Sequence, residues 1–153
     1  MFQELIDKKR YSFSDGFEKW EDAVEAACKP LIEQGAIEHS YVNSIIANVK
    51  KYGPYIVIAP NICIPHAQEG LEGVNETAIC FMRTKNPVHF SEDPGEDARL
   101  FFVLASKDSE AHLNNLSNMV ALIEDEAVVE KLLNAQCKED LEEILYSLNT
   151  KAV

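Results

Sequence analysis

The sequence predicts an α/β protein in which helices flank one β-sheet on both sides. Three observations carry that expectation. Two amphipathic patterns at helical spacing occupy the first third of the chain, three more close it, and short, nearly continuous apolar runs lie between them. Apolar runs of that kind suit strands buried on both faces. Helical segments on either side of them in sequence suit layers stacked around a single sheet.

Taken in order, Tyr11-Ser12-Phe13 fits a short strand. A helix follows over about residues 18–34, because Phe17, Trp20, Val24, Ala27, Cys28 and Leu31 recur at helical spacing. Glu18, Glu21, Asp22 and Glu25 load its early turns, which suits the helix dipole. Pro30 is expected to kink this helix or end it early, and Gly35 to close it. Ser40 is expected to cap a second helix that runs to Tyr52 and stops at Gly53, with Val42, Ile45, Ile46 and Val49 on its apolar face.

The period then changes. Tyr55–Ala59, Thr77–Met82 and Leu100–Leu104 read as buried strands, with Val88-His89-Phe90 as a short strand between the last two. Ser91–Asp97 is acidic and contains Pro and Gly, so it is expected to be a loop. Three apolar stripes close the chain. Leu113, Leu116, Val120 and Ile123 form one, capped by Asp108 or Ser109, Val128, Val129, Leu132 and Leu133 form another, and Leu141, Ile144, Leu145 and Leu148 form the third. No internal repeat or linker divides the 153 residues, so one domain spanning 1–153 is expected.

Composition narrows the function. Hydrophobic residues at 46% and charged residues at 26% are ordinary for a globular domain and exclude disordered, collagenous and low-complexity classes. Lys plus Arg is 14 against 26 for Asp plus Glu, a net charge of −12. Such a chain is repelled by nucleic-acid backbones and anionic membrane surfaces, so neither is an expected partner. The longest apolar runs fall far short of the roughly 18 residues a membrane span requires. The acidic residues in the N-terminal apolar stretch do not fit a signal peptide, so a cytoplasmic location is expected. Cys28, Cys63, Cys80 and Cys137 lie at least 17 positions apart, which argues against a zinc knuckle or a CxxC redox pair and for free, buried thiols. Cys63-x-x-His66 resembles half of a metal site without a second half, and neither a metal nor a cofactor is expected.

The common nucleotide, metalloprotease and hydrolase motifs are absent, which leaves four histidines. His66 follows Pro65, whose fixed φ and effect on Ile64 stiffen the backbone where it leaves the sheet. A neutral imidazole on a rigid mount is a nitrogen nucleophile able to carry a phosphoryl group. The same features also fit a histidine in an ordinary turn. His112 falls in the first turn of a capped helix, where unpaired amides favour anions, and it follows the C-terminal end of the Leu100–Leu104 strand, where open α/β sheets hold ligands. A solvated histidine on an exposed helix face is the competing explanation. His39 is expected to be solvated in a turn, and His89 to pack or face water in a short strand.

At these residues the chain resembles the enzyme IIA components of the bacterial sugar phosphotransferase system, in the mannitol–fructose class. The stretch Lys51–Pro60, running on to Ile64-Pro65-His66-Ala67, is most similar to the ascorbate branch. Trp20–Val24, Pro30–Ile37, Pro87–Phe90, Leu100–Ala105 and Asp108–Leu113 extend the resemblance over nearly the whole chain. It implies a mixed sheet flanked by helices, the mannitol-type enzyme IIA fold. It also implies that His66 accepts a phosphoryl group and that His112 supports it. The implied donor is the phosphorylated carrier HPr, the acceptor a cysteine of a IIB component, and the sugar crosses the membrane through a separate IIC component. Family members often have glycine where Asn61 stands, and many carry a basic residue where Gln68 stands. Mannitol-type members place an arginine near the site, where this chain offers Lys50 and Lys51, point charges rather than a bidentate fork.

Three readings follow. A phosphocarrier would shield its phosphohistidine with a shallow apolar rim, expected from Ile62, Ile64 and nearby surface side chains. A regulatory module on the same fold would use the phosphate as a signal to a protein partner, as in the nitrogen-related branch. A plain protein-binding domain would use none of this chemistry.

Overall fold

The computed structural model describes residues 2–68 and 72–151. Among these residues the elements run α1 (Phe2–Asp7), β1 (Tyr11–Ser14), α2 (Trp20–Glu33), α3 (His39–Tyr52), β2 (Val57–Ala59), β3 (Asn61–Cys63), β4 (Ala78–His89), β5 (Asp97–Ala105), α4 (Ser109–Ile123), α5 (Glu126–Asn134) and α6 (Lys138–Lys151), with a 3-10 turn at Pro94–Glu96 before β5. The strands form one mixed sheet in the order β1-β4-β5-β3-β2. β1 runs parallel to β4 and β3 parallel to β5, while the β4–β5 and β2–β3 pairs are antiparallel.

Strand alternation explains the layers. Phe101, Val103 and Ala105 of β5 pack with Cys80 and Met82 against α2 and α3. Leu100, Phe102 and Leu104 pack with Ile79 and Phe81 against α1, α4, α5 and α6. Successive side chains of a strand point to opposite faces, so β5 feeds two cores. Each fully buried Phe or Leu contributes about 1.5–3 kcal/mol. This is the α/β architecture expected, with helices on both sides.

The helix ends follow local chemistry. Gly35 closes α2 at φ +75°, its amide donating to the Ile32 carbonyl, and Gly53 closes α3 at φ +84°. Asp108 caps α4 by accepting from the Ala111 amide at 2.7 Å. Two expectations about ends are corrected. Pro30 does not cut α2 short: the helix runs on to Glu33, and burial of Leu31 in the core outweighs the one amide hydrogen bond that Pro30 cannot make. The cap of α3 is Glu38 rather than Ser40, since the Glu38 amide is held by the Gly73 carbonyl at 2.7 Å and the chain turns helical directly after it.

The strands need more correction. The Tyr55–Ala59 run is not a strand buried on both faces. Tyr55 and Ile56 lie in a turn after Gly53, and β2 is a short edge strand with Ile58 exposed. β3 is an element the sequence reading did not contain. Val88 and His89 do not start a separate strand. They end β4, which continues through a register shift between Arg83 and Val88, with Pro87 inside the irregular stretch where its missing amide leaves no gap in the ladder. The α4 stripe is also displaced. Met119 is its buried residue, while Leu113 and Val120 are 65% and 38% exposed. Cys28, Cys63 and Cys80 are buried as expected, but Cys137 is exposed. Among the described residues no helix is long and apolar enough to cross a membrane.

Candidate functional site

The C-terminal ends of β3 and β5 lie side by side, and the chain leaving each one reaches the same cleft. Cys63 pairs with Phe101 in the parallel β3–β5 ladder. Beyond β3, the Ile64 amide donates to the Ile56 carbonyl at 2.8 Å, and the Pro65 carbonyl accepts from the Leu104 amide at 2.9 Å. The segment is thus fastened to β5 and to the turn before β2, with Ile64 and Pro65 buried. Tyr41 of α3 adds a further brace. Its hydroxyl donates to the Leu104 carbonyl at 2.7 Å and accepts from the Ala67 amide at 3.3 Å. Burial pushes this phenol up to about 12, which keeps the donating hydrogen in place. Asn48 accepts from the Gln68 amide at 2.7 Å.

These braces fix His66. Its Nδ1 lies 2.6 Å from the Ile64 carbonyl oxygen, two residues back. A carbonyl only accepts, so Nδ1 carries the hydrogen and Nε2 keeps its lone pair. The Tyr55 hydroxyl donates to the His66 carbonyl, and the two rings meet edge to face with centroids 5.3 Å apart. Burial pushes the Tyr55 phenol up, so it remains a donor. Burial also holds the His66 imidazole below its ordinary value. The Ile64 hydrogen bond opposes this in part, and His112 adds to the lowering. The ring is therefore neutral at pH 7, with a free nucleophilic nitrogen.

His112 comes from the other strand. β5 ends at Ala105, Asp108 caps α4, and His112 sits in the first turn, its amide donating to the Asp108 carbonyl at 3.1 Å. The His66 and His112 ring centroids are 5.4 Å apart, tilted at 44°. The two sequence candidates thus converge on one cleft of about 520 Å³, which Gln68, Asp108, Ser109 and Leu113 also line. The other two histidines lie elsewhere. His39 is exposed at the start of α3, and exposed His89 on β4 bonds Asp97 at 2.8 Å.

Several expectations change here. Ile62 and Ile64 are 3% and 0% exposed and belong to the core, so they form no rim; the apolar rim is Leu113. Lys50 and Lys51 do not line the cleft. Lys50 reaches Glu21 at 3.9 Å, and Lys51 lies over the Tyr52 ring. Among the described residues, no lysine or arginine lines it, so its nitrogen donors and acceptors come from the two histidines and Gln68. Cys63 is packed in the α2–α3 core. Asn61 sits at φ +70°, a left-handed conformation that glycine adopts freely and asparagine tolerates. The sequence pattern does not predict the Tyr41 and Tyr55 braces. A polar tip inside an apolar periodic pattern was the signal for Tyr41.

Residues 4–148 match the family described as phosphoenolpyruvate-dependent sugar phosphotransferase system, EIIA 2. The chain belongs to this family. It is therefore a phosphotransferase component of sugar transport. An ascorbate-specific PTS system EIIA component from Mycoplasma pneumoniae is 34% identical over 116 residues, 75% of this chain and 72% of that protein. Its namesake from Escherichia coli K12 is 26% identical over 149 residues, 97% and 96% of the two chains. Among solved structures, a complex of mannitol enzyme IIA with phosphorylated enzyme IIB from Escherichia coli contains a chain that superposes with a TM-score of 0.77 at 22% identity, covering 91% of this chain and 95% of that one. At that identity the likeness is one of fold.

Proposed function

We propose that this EIIA chain is a cytoplasmic phosphocarrier that takes a phosphoryl group from phospho-HPr onto Nε2 of His66 and passes it to a cysteine of a IIB component. The lone pair of Nε2 attacks phosphorus and forms the new N–P bond. The N–P bond of the donor breaks, and its electron pair returns to the donor imidazole. In the second transfer the IIB thiolate attacks the same phosphorus, and the His66 N–P bond breaks with its electrons returning to Nε2. The hydrogen stays on Nδ1, donated to the Ile64 carbonyl throughout, so no proton needs to move at His66.

The observation that carries this reading is the 2.6 Å contact between His66 Nδ1 and the Ile64 carbonyl, which assigns the lone pair to Nε2 in a cleft shared with His112. His112 donates a hydrogen bond to a phosphoryl oxygen and stabilises the charge that spreads over those oxygens during transfer. Leu113 at the cleft edge and Val120, seven residues further along the same helical face, offer the apolar patch on which each partner docks in turn. Two relatives named as ascorbate-specific components support ascorbate as the transported sugar, moved through a separate IIC component.

The test is reconstitution. Phosphoenolpyruvate, enzyme I and HPr are expected to place one acid-labile phosphate on the peptide containing His66, and added IIB to discharge it. Label on any other peptide, or none, overturns the assignment.

A further inference from the structure

A second cleft, of about 690 Å³, opens near the other end of β5, between β1, the irregular stretch of β4 and the C-terminal end of α5. Three cations line it, Arg83, Lys85 and Arg99, in a chain whose net charge is −12. Asp15 is the one carboxylate in the lining. Arg99 lies six positions before the end of β5, and the histidine cleft lies beyond that end, so the two are roughly 20 Å apart along the strand.

The sequence explains why arginines gather here. Ala98 and Phe101 both pack in the α2–α3 core, so the alternation of β5 slips by one residue between them, opposite the register shift of β4. An irregularity of this kind re-aims a side chain. Arg99 is turned toward α5, donating to the Leu133 carbonyl at 3.2 Å and to the Thr84 carbonyl at 3.1 Å. Arg83 is only 8% exposed and donates through Nε to the Ala135 carbonyl at 2.7 Å. The bonds to Leu133 and Ala135 satisfy carbonyls at the end of α5 and just past it, yet together with the Thr84 bond they use few of the guanidinium hydrogens. A guanidinium has five N–H donors. Both terminal nitrogens of Arg83 lack a hydrogen-bond partner among the described residues, and so does Lys85.

Capping a helix does not account for Lys85, nor for two arginines held close together. Burial and the neighbouring Arg99 cation both lower Arg83 from its ordinary value, and Asp15 only partly offsets them. A bound anion would relieve that repulsion. The remaining lining has a different character. Asp15, Asn134 and Gln136 present carboxylate and amide groups suited to hydroxyls. Cations at one part of a cleft and hydroxyl-binding groups beside them fit a ligand with both features.

We propose that this cleft binds a phosphorylated polyol or sugar, its phosphate held by Arg83, Lys85 and Arg99 and its hydroxyls by Asp15, Asn134 and Gln136. The volume lies within the range of small-molecule sites, and arginine forks match phosphate oxygens in pairs. The site is separate from His66, and its existence does not depend on the phosphocarrier reading.

The test uses the full chain, titrated at low ionic strength with sorbitol 6-phosphate, inorganic phosphate and sorbitol while amide and arginine side-chain NMR signals are followed. Sorbitol 6-phosphate is expected to shift the signals of Arg83, Lys85, Arg99 and Asn134 saturably. Inorganic phosphate should shift the same arginines more weakly, and sorbitol should shift none of them. Lys85→Gln with Arg99→Gln is expected to weaken sorbitol 6-phosphate at least about tenfold, the effect of losing charge-assisted hydrogen bonds. Lys85→Gln alone, on an exposed side chain, keeps the fold and the acceptance of phosphate at His66 while still weakening binding. Shifts that do not saturate, that centre on His66 and His112, or that persist unchanged in the double variant overturn the site. Inorganic phosphate binding as tightly as sorbitol 6-phosphate overturns the polyol part.

Discussion

Replacing His112 with alanine removes a side chain from the exposed first turn of α4 and leaves the Asp108 cap intact. The helix and the His66 braces should therefore survive, and circular dichroism should match wild type. What disappears is a donor whose ring lies 5.4 Å from that of His66. A hydrogen bond to a charged group contributes about 1.5–3 kcal/mol. At about 1.4 kcal/mol per factor of ten, that is roughly 10- to 150-fold in rate. The cleft is open at Leu113, so water replaces part of the loss and the expected effect is about 10- to 50-fold. Rapid-quench measurement with labelled phospho-HPr should show slow but complete labelling of His112→Ala and slow discharge to IIB. His112→Gln, which keeps a donor, should recover part of the rate. Transfer by His112→Ala within about twofold of wild type, well below a tenfold change, would refute the role argued for this residue.

Four further outcomes follow from the same geometry. His66→Ala should lose all labelling by phospho-HPr while remaining folded, which phosphate incorporation and circular dichroism together will check. Because burial lowers the His66 value, the unfolded chain binds its proton first as pH falls below about 6.5. Stability should thus fall through that window and level off below the folded value, while acceptor activity persists into weakly acidic solution; an NMR titration midpoint for His66 above 6.5 would contradict both. A thiol reagent should titrate Cys137 alone in the native protein and all four cysteines after denaturation, and Cys63→Ala should still accept phosphate. Leu113→Asp should slow transfer from HPr through weaker docking, raising the KM for HPr with little change in kcat, and equal effects on both would point to damage at the cleft instead.

Much of the architecture was legible because its signals are local. Gly35, Gly53 and Asp108 mark helix ends by their own chemistry, and each sits where its residue type predicts. The apolar runs at Thr77–Met82 and Leu100–Leu104 lie within the central strands, whose burial leaves no polar alternation to confuse them. The convergence of His66 and His112 was legible only as two strand ends, since nothing in the sequence states that β3 and β5 are neighbours. The failures are equally physical. α1 has six residues, too few to show a period, and its Phe2, Leu5 and Ile6 are ordered by packing in the core that α6 shares. The polar stretch Arg83–Asn86 read as a break in β4 because the sheet carries its irregularity there. Pro60-Asn61 is the turn signal that divides the apolar region into the β2–β3 hairpin. Hydrophobicity alone does not separate a core position from a docking surface: Ile62 and Ile64 lie in the core and Leu113 and Val120 outside it, the reverse of the sequence expectation.

The partner chosen for Nδ1 of His66 has an evolutionary consequence. The acceptor is main chain, from a residue two positions away on a segment stiffened by Pro65. No codon change can delete it, so the tautomer is buffered against mutation in a way that a side-chain partner would not allow. An aspartate in the same role would be erasable by a single substitution. It would also bring a formal negative charge beside an arriving dianion, making the ring more basic while repelling its cargo. A neutral carbonyl orients the imidazole without that conflict. On the proposed function, Ile64-Pro65-His66 would act as a self-contained cassette, leaving the surrounding cleft free to diversify for different partners while the imidazole keeps its tautomer.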